Sequence, residues 1–208
     1  MQTKIYGWQD AIDPNSCNYI TPKILELIPR LEHDRILDLG CGNGALCYAL
    51  RQAFSCEVAG IEYDEQGSRI AQESNPDARI FNYGVQDDPD ALLKQVGDKF
   101  DLAISTEVIE HLYSPQLLPQ YAARVLKPHG RLIVSTPYHG YLKNLAIALT
   151  GHWDTHHTVL WEGGHIKFWS RATLTQLMKE NGFTEEGFYG VGRMPWLWKS
   201  MIMVFRKE

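Results

Sequence analysis

"ILDLGCGNGALC", residues 36–47, is the stretch whose reading decides the fold. Ile36–Leu39 reads as an apolar strand, Gly40, Gly42 and Gly44 make a turn, and Ala45 opens a helical stretch. A strand, a glycine turn and a helix in that order let a ligand touch the backbone. The spacing Gly40-x-Gly42-x-x-Ala45 satisfies a dinucleotide fingerprint in its G/A form, whereas Gly40-x-Gly42-x-Gly44 fits something else. Asp38 tips the balance. A carboxylate two residues before the first glycine would repel a pyrophosphate by about 1 kcal/mol or more at surface dielectric. It suits a cation instead. S-adenosylmethionine has no phosphate and carries a sulfonium and an ammonium, so Asp38 points to that ligand. The competing reading is that Asp38 only caps the turn.

Outward from this turn, strand and helix signals alternate. A helix is predicted over residues 20–30, before the first strand, Arg35–Leu39. There follow a helix at Ala45–Phe54, a strand at Glu57–Ile61, a helix at Glu65–Ser74 and a strand at Ala78–Phe81. A helix at Asp90–Val96, a strand at Phe100–Ser105, a helix at Gln116–Leu126 and a strand at Gly130–Ser135 continue the pattern. Residues 137–170 read as irregular. Arg171–Asn181 is a helix capped by Gly182, and two strands, near Thr184–Gly190 and Trp198–Phe205, close the chain. Regular alternation implies an α/β fold, a doubly wound and mostly parallel sheet with helices on both faces. The last two strands, joined without a helix, imply an antiparallel edge.

The bulk properties agree. A chain of 208 residues, 44% hydrophobic, suits one domain with a real core. A net charge of −5 argues against a nucleic-acid partner, because phosphates would meet a net-negative protein. The four cysteines form no C-x-x-C pair and read as reduced thiols. The opening MQTKIYGWQD has no apolar signal core, and runs such as Leu145–Leu149 are too short to span a bilayer. A cytoplasmic protein is expected.

Ligands on such sheets bind at the carboxyl ends of the strands. Glu62 ends the second strand, 22 residues after Gly40, where a ribose diol is held; this fits a nicotinamide cofactor equally well. After the third strand, Val85 and Gln86 suit a purine edge. The fourth ends in STEVIEHL, residues 105–112. If this segment turns as a helix, Glu107, Glu110 and His111 share one face.

With these residues in view, the chain resembles a class I S-adenosylmethionine-dependent methyltransferase. The resemblance rests on Asp38-Leu39-Gly40-Cys41-Gly42-Asn43-Gly44, on Glu62, on EVIEHL and on VLKPHGRLIVSTP (125–137), and covers residues 20–137 best. The quinone-biosynthesis O-methyltransferases and the small-RNA terminal 2′-O-methyltransferases are the similar branches. The resemblance implies a Rossmann-like, seven-stranded sheet of order 3-2-1-4-5-7-6 with strand 7 antiparallel. It also implies a donor site at Asp38, Gly40, Cys41, Gly42, Asn43 and Gly44, continued by Glu62 and Tyr63, by Val85 and Gln86, and by Thr106 and Glu107. It further implies a divalent metal at Glu107, Glu110 and His111, completed by His165 of Gly164-His165-Ile166-Lys167-Phe168-Trp169. One departure stands out: where many relatives hold the adenine amino group with an acidic residue, this chain has Gly84-Val85-Gln86, with Gln86 or Asp87 as substitutes.

The expected organisation is a single domain, residues 1–208, with a cap at 1–30 and an inserted lid at 137–170. The cap contains Trp8 and Tyr19. The lid's 34 residues hold five of the eight histidines and three of the six tryptophans. Such a cover suits a planar or aromatic small-molecule acceptor, and an aromatic satellite core under a long loop would look the same. His152 and His156 have helical zinc spacing without a supporting frame. Methyl transfer would be a direct displacement dominated by alignment and desolvation. His165 or His139 could take the acceptor's proton, or a metal could lower the acceptor's pKa. Three other readings stay open: an NAD-dependent oxidoreductase, a metal-dependent RNA 2′-O-methyltransferase, and a non-catalytic module that binds S-adenosylmethionine.

Overall fold

The computed structural model describes residues 4–5, 8, 14–31, 33–157 and 160–208. Its main sheet has seven strands: β1 Arg35–Leu39, β2 Glu57–Ile61, β3 Arg79–Phe81, β4 Phe100–Thr106, β5 Leu126–Pro137, β6 Phe183–Val191 and β7 Ser200–Lys207. The spatial order is β3-β2-β1-β4-β5-β7-β6. β1 pairs in parallel with β2 and β4, and β7 runs antiparallel to both β5 and β6. The expected topology is therefore present.

The central strands are apolar on both faces because helices cover both. Successive side chains point to opposite sides. Leu37, Leu39, Ala103 and Leu132 pack on one side. Ile36, Leu102, Ile104 and Ile133 pack on the other. The first side is covered by α4 (Pro89–Val96), α5 (Leu117–Val125) and α8 (Arg171–Glu180). The second is covered by α1 (Cys17–Leu27), α2 (Ala45–Ala53) and α3 (Glu65–Ser74). Local chemistry sets the helix ends. Asp64 accepts the Gly67 N–H at 2.7 Å to start α3, and Ser170 and Thr173 form a capping box on α8. Gly182, at φ +80°, follows α8 as expected.

Three local expectations are corrected. First, α1 begins at Cys17 and passes into a 3-10 turn at Ile28–Arg30. Second, β5 starts at Leu126, four residues early, because α5 stops before Lys127-Pro128 and His129 takes φ +60°. Third, residues 137–170 are not irregular: they contain α6 (Tyr141–Leu149) and α7 (Trp153–His157). Two short segments, Lys4–Ile5 and Trp161–Glu162, pair in parallel and tie the N-terminal part to this insert. No helix among the described residues is long and apolar enough to cross a membrane.

Gly44 shows why the turn needs glycine. It precedes α2 at φ +83°, and a Cβ there would sit 2.5 Å from Asn75 Nδ2 and 3.0 Å from Ala71. Asn75 Nδ2 meanwhile donates to the Gly44 carbonyl at 3.2 Å. Gly44→Ala is expected to cost about 1–3 kcal/mol of stability through left-handed strain and this collision. Urea denaturation checks it; an unchanged midpoint would show that the turn tolerates a side chain.

Candidate functional site

The glycine turn leaves β1 at the carboxyl end of the sheet. Gly40, Gly42 and Gly44 all have positive φ, and the Gly40 and Cys41 amides both donate to the Ile61 carbonyl at 2.9 Å. A Cβ on Gly40 would lie 2.6 Å from Val108 Cγ2. Asn43 is buried, and its Oδ1 accepts the Ala45 N–H. Asp38 is 1% exposed; Oδ2 accepts the Cys47 thiol at 3.5 Å, and Oδ1 has no hydrogen-bond partner. Burial raises its carboxyl to about 7, the nearby Glu62 adds to the rise, and the Cys47 hydrogen bond opposes it.

Glu62, at the end of β2, is held by two backbone amides. Oε2 accepts Gly42 N–H at 2.8 Å and Oε1 accepts Asp64 N–H at 2.9 Å. Burial still raises its carboxyl. The Trp8 indole packs against this corner, and a Cβ at Gly42 or Gly67 would collide with its ring. Tyr63 is exposed. Beyond β3, Val85 is buried, and the Gln86 amide folds back over Gly84. Asp87 accepts the Gly84 N–H at 2.7 Å, so it serves the turn. Of the 1–30 cap, Lys4–Ile5, Trp8, residues 14–30 and thus Tyr19 are described; the rest lies outside the described residues.

These residues fit a cationic nucleoside ligand. A buried carboxylate oxygen without a partner costs free energy unless a donor or cation meets it. A cradle of three glycines and an acid on the neighbouring strand complete the set.

β4 ends at Thr106, opposite Ser135. The next residue, Glu107, takes φ +54°, and the chain turns without forming a helix. The single helical face for Glu107, Glu110 and His111 is therefore absent. Glu107 turns toward β5 and β7, accepting from Ser135 Oγ at 3.0 Å and Ser200 Oγ at 3.3 Å. Burial raises the nearby Tyr19 hydroxyl, against the lowering influence of Ser200. Burial lifts the Glu107 carboxyl to about 7. Glu110 and His111 instead meet His165. Their ligand atoms lie within 4.8 Å of one another, with His165 Nε2 4.0 Å from Glu110 Oε1. The Ile166 and Lys167 amides donate to the Glu110 carbonyl at 2.9 and 3.0 Å, which brings His165 back to the strand end. Glu110 is fully buried; Thr136 donates to Oε2, and Oε1 has no hydrogen-bond partner. Burial and the nearby Glu107 push the Glu110 carboxyl well up. His111 Nδ1 donates to the Gly163 carbonyl at 2.7 Å, which fixes its tautomer with the lone pair on Nε2. A carboxylate oxygen and two imidazoles at this separation fit a divalent metal. Glu107 stands outside that group, which is the one such cluster among the described residues.

In the 137–170 insert, His139 packs with His156, His157 and Phe168 at ring separations of 5.1–5.9 Å. Burial lowers both His139 and His165 to about 4, with Lys143 next for His139 and His111 next for His165. Both are neutral imidazoles at pH 7, and weak bases. A cavity of about 390 Å³ opens between Tyr138, Tyr141, Leu142 and Trp196. Buried Lys143, which donates to the Lys199 carbonyl, and Ser135 and Ser200, which donate to Glu107, were missed in the sequence. Lys143 had one signal: it is a lone charge inside the apolar stretch Tyr141–Leu149.

Comparison with known proteins bears on the family and the fold. Residues 15–186 match the family described as "Methyltransferase domain". The chain is 29% identical over 154 residues to a ubiquinone biosynthesis O-methyltransferase of Azorhizobium caulinodans, covering 72% of this chain and 58% of that one. It is 32% identical over 117 residues to the protein of that name from Chelativorans sp., covering 56% and 45%. The chain spans about half the length of the curated relatives it matches. Among solved structures, magnesium protoporphyrin IX methyltransferase from Synechocystis PCC 6803 with bound SAH superposes with a TM-score of 0.64 at 17% identity, over 91% of this chain and 82% of that one.

Proposed function

Because the chain belongs to the methyltransferase domain family, we propose that it transfers a methyl group from S-adenosylmethionine to a small hydroxylated or aromatic acceptor held under residues 137–170. The observation that carries this reading is Asp38 Oδ1, a buried carboxylate oxygen without a partner beside a three-glycine turn. Bound there, the donor supplies an electrophilic methyl group on a sulfonium. Asp38 attracts the donor's positive charge, Glu62 accepts from its ribose hydroxyls, and Val85 covers the purine. The whole is one domain, with residues 1–30 as a cap and 137–170 as a lid. Glu110, His111 and His165 would hold a divalent ion, whose chemistry is to polarise an acceptor oxygen. His139, neutral and half-buried, faces the acceptor from the lid. Tight packing around His139 and His157 keeps water from the transfer.

Calorimetric titration with S-adenosylmethionine and, separately, with NAD tests the reading. The first is expected to bind and the second is not; tighter binding of NAD would overturn it. The pH dependence has a definite sign. Asp38 titrates at about 7 in the folded protein, and a cation requires its ionised form. Affinity is therefore expected to be full above pH 7 and to fall about tenfold per unit below it, with a proton released on binding.

A further inference from the structure

α6 is built against the ordinary logic of a surface helix. Of its nine residues, only Lys143 and Asn144 are polar, and Lys143 is the one that is buried. Tyr141, Leu142, Leu145 and Leu149 face solvent, Leu149 at 78% exposure. A helix on a soluble domain normally turns such side chains to the core. The apolar face continues at both ends. Beyond Leu149, the His152 amide donates to the Ile147 carbonyl at 3.1 Å, so α7 starts directly off α6 with Trp153 exposed. At the other end, Tyr141 and Leu142 share a cavity wall with Trp196, which brings in the loop between β6 and β7. Met194 is exposed there, and Trp196 takes φ +69°, a costly conformation for an aromatic residue, with its side chain 62% exposed. A continuous apolar face of this kind marks an interaction site. Its charge is one-sided. Residues 138–153 and 190–200 contain Lys143, Arg193 and Lys199 and no Asp or Glu, in a chain with 25 acidic and 20 basic residues. Arg193 is exposed beside Met194 and has no ion pair among the described residues. Lys143, behind α6, feels Arg193 more than it feels Glu107. Lys199 turns its ammonium to the Tyr19 ring, 5.2 Å away, and Asp154 is the first acid along the chain after Trp153.

We infer that α6, Trp153 and the 193–196 loop lay this protein on the surface of an anionic lipid bilayer. The leucines enter the boundary of the acyl chains, and Tyr141, Trp153 and Trp196 sit at the level of the headgroups. Arg193 meets lipid phosphates, and the absence of acids from the two segments leaves nothing to repel them. A second copy of this chain is a poorer occupant, because a two-fold interface sets the patch against itself and positive charge against positive. The inference stands apart from the methyltransferase reading.

Flotation of the full chain with vesicles tests this. One set is phosphatidylcholine alone, and the other is phosphatidylcholine mixed with phosphatidylglycerol. The chain is expected to float with the mixed vesicles, less with phosphatidylcholine alone, and less as salt is added. Tryptophan emission should move to shorter wavelength on binding. Leu145→Glu together with Leu149→Glu should weaken binding to the mixed vesicles at least about tenfold. Arg193→Gln should weaken it about fivefold and leave the weak binding to phosphatidylcholine unchanged. All three positions are exposed, so the variants should keep the parent's circular dichroism spectrum. Failure of the parent to float with mixed vesicles overturns the inference. So does a Leu145→Glu, Leu149→Glu protein that floats as the parent does. A parent that stays off vesicles but forms a dimer broken by the same two substitutions also overturns it, and gives the face to a second copy. Calorimetry with S-adenosylmethionine on the same samples reads the donor site separately, and its failure would leave the vesicle result standing.

Discussion

Asp38→Asn is expected to weaken S-adenosylmethionine binding by about 100-fold while making the ligand-free protein harder to melt. The loss follows from removing a buried negative charge that meets a cation, an interaction worth about 2–3 kcal/mol. The gain in stability follows from linkage. Burial raises the folded-state pKa from 3.8 to about 7, so the carboxyl favours the folded state only while protonated. That contribution is complete below pH 4 and lost as pH rises through 7. The neutral amide avoids the loss and can still accept the Cys47 thiol. The melting temperature of Asp38→Asn should therefore exceed that of the parent at pH 8, and the two should converge toward pH 4. Calorimetry and thermal melts across pH measure both effects. A variant that binds the donor normally would reduce Asp38 to a turn cap.

Glu110→Gln and His165→Ala are each expected to abolish binding of Mn²⁺, with losses of at least about 100-fold in affinity. The parent should bind one equivalent. Glu110 contributes an oxygen that only a donor or a cation can satisfy, and His165 is held 4.0 Å away by backbone hydrogen bonds from the next two residues. Glutamine keeps the size and the Thr136 hydrogen bond but supplies no charge. Glu107→Gln should retain most of the affinity, because Glu107 turns toward Ser135 and Ser200. Mn²⁺ titration followed by electron paramagnetic resonance separates these outcomes. Equal binding by parent and Glu110→Gln would remove the cluster from consideration as a metal site.

The glycine-turn half of the fold was legible in the sequence because its physics is local. Glycines with positive φ, an acid before them and a second acid one strand later all lie on short, regular βα units. The alternating apolar strands announced a sheet covered on both faces. The rest was not legible, for three different reasons. The spacing of Glu107, Glu110 and His111 is helical, yet Glu107 adopts φ +54° and sends its carboxylate away from the other two. α6 escaped because its pattern is inverted: its leucines face out and its lysine faces in, so no apolar stripe marks a buried face. Asp87 resembled an adenine ligand, but local turn geometry claims its carboxylate. The first two failures occur where contacts distant in the chain decide the side chain's direction, and the third where a tight local turn claims it.

The position of β7 has a consequence for how the molecule assembles. β6 has one partner in the sheet, β7, and β7 in turn fills the gap between β6 and β5. Residues 183–191 have no edge to join until residues 200–207 are in place, and β5 presents an unpaired edge until then. The glycine turn, by contrast, depends on β1, β2 and β4, all closed within residues 35–106. Folding should therefore proceed in two stages, with the glycine-turn strands within residues 35–106 pairing before residues 183–207 complete the far edge of the sheet. During the interval, the open β5 edge is the place where this chain is most exposed to pairing with another copy of itself.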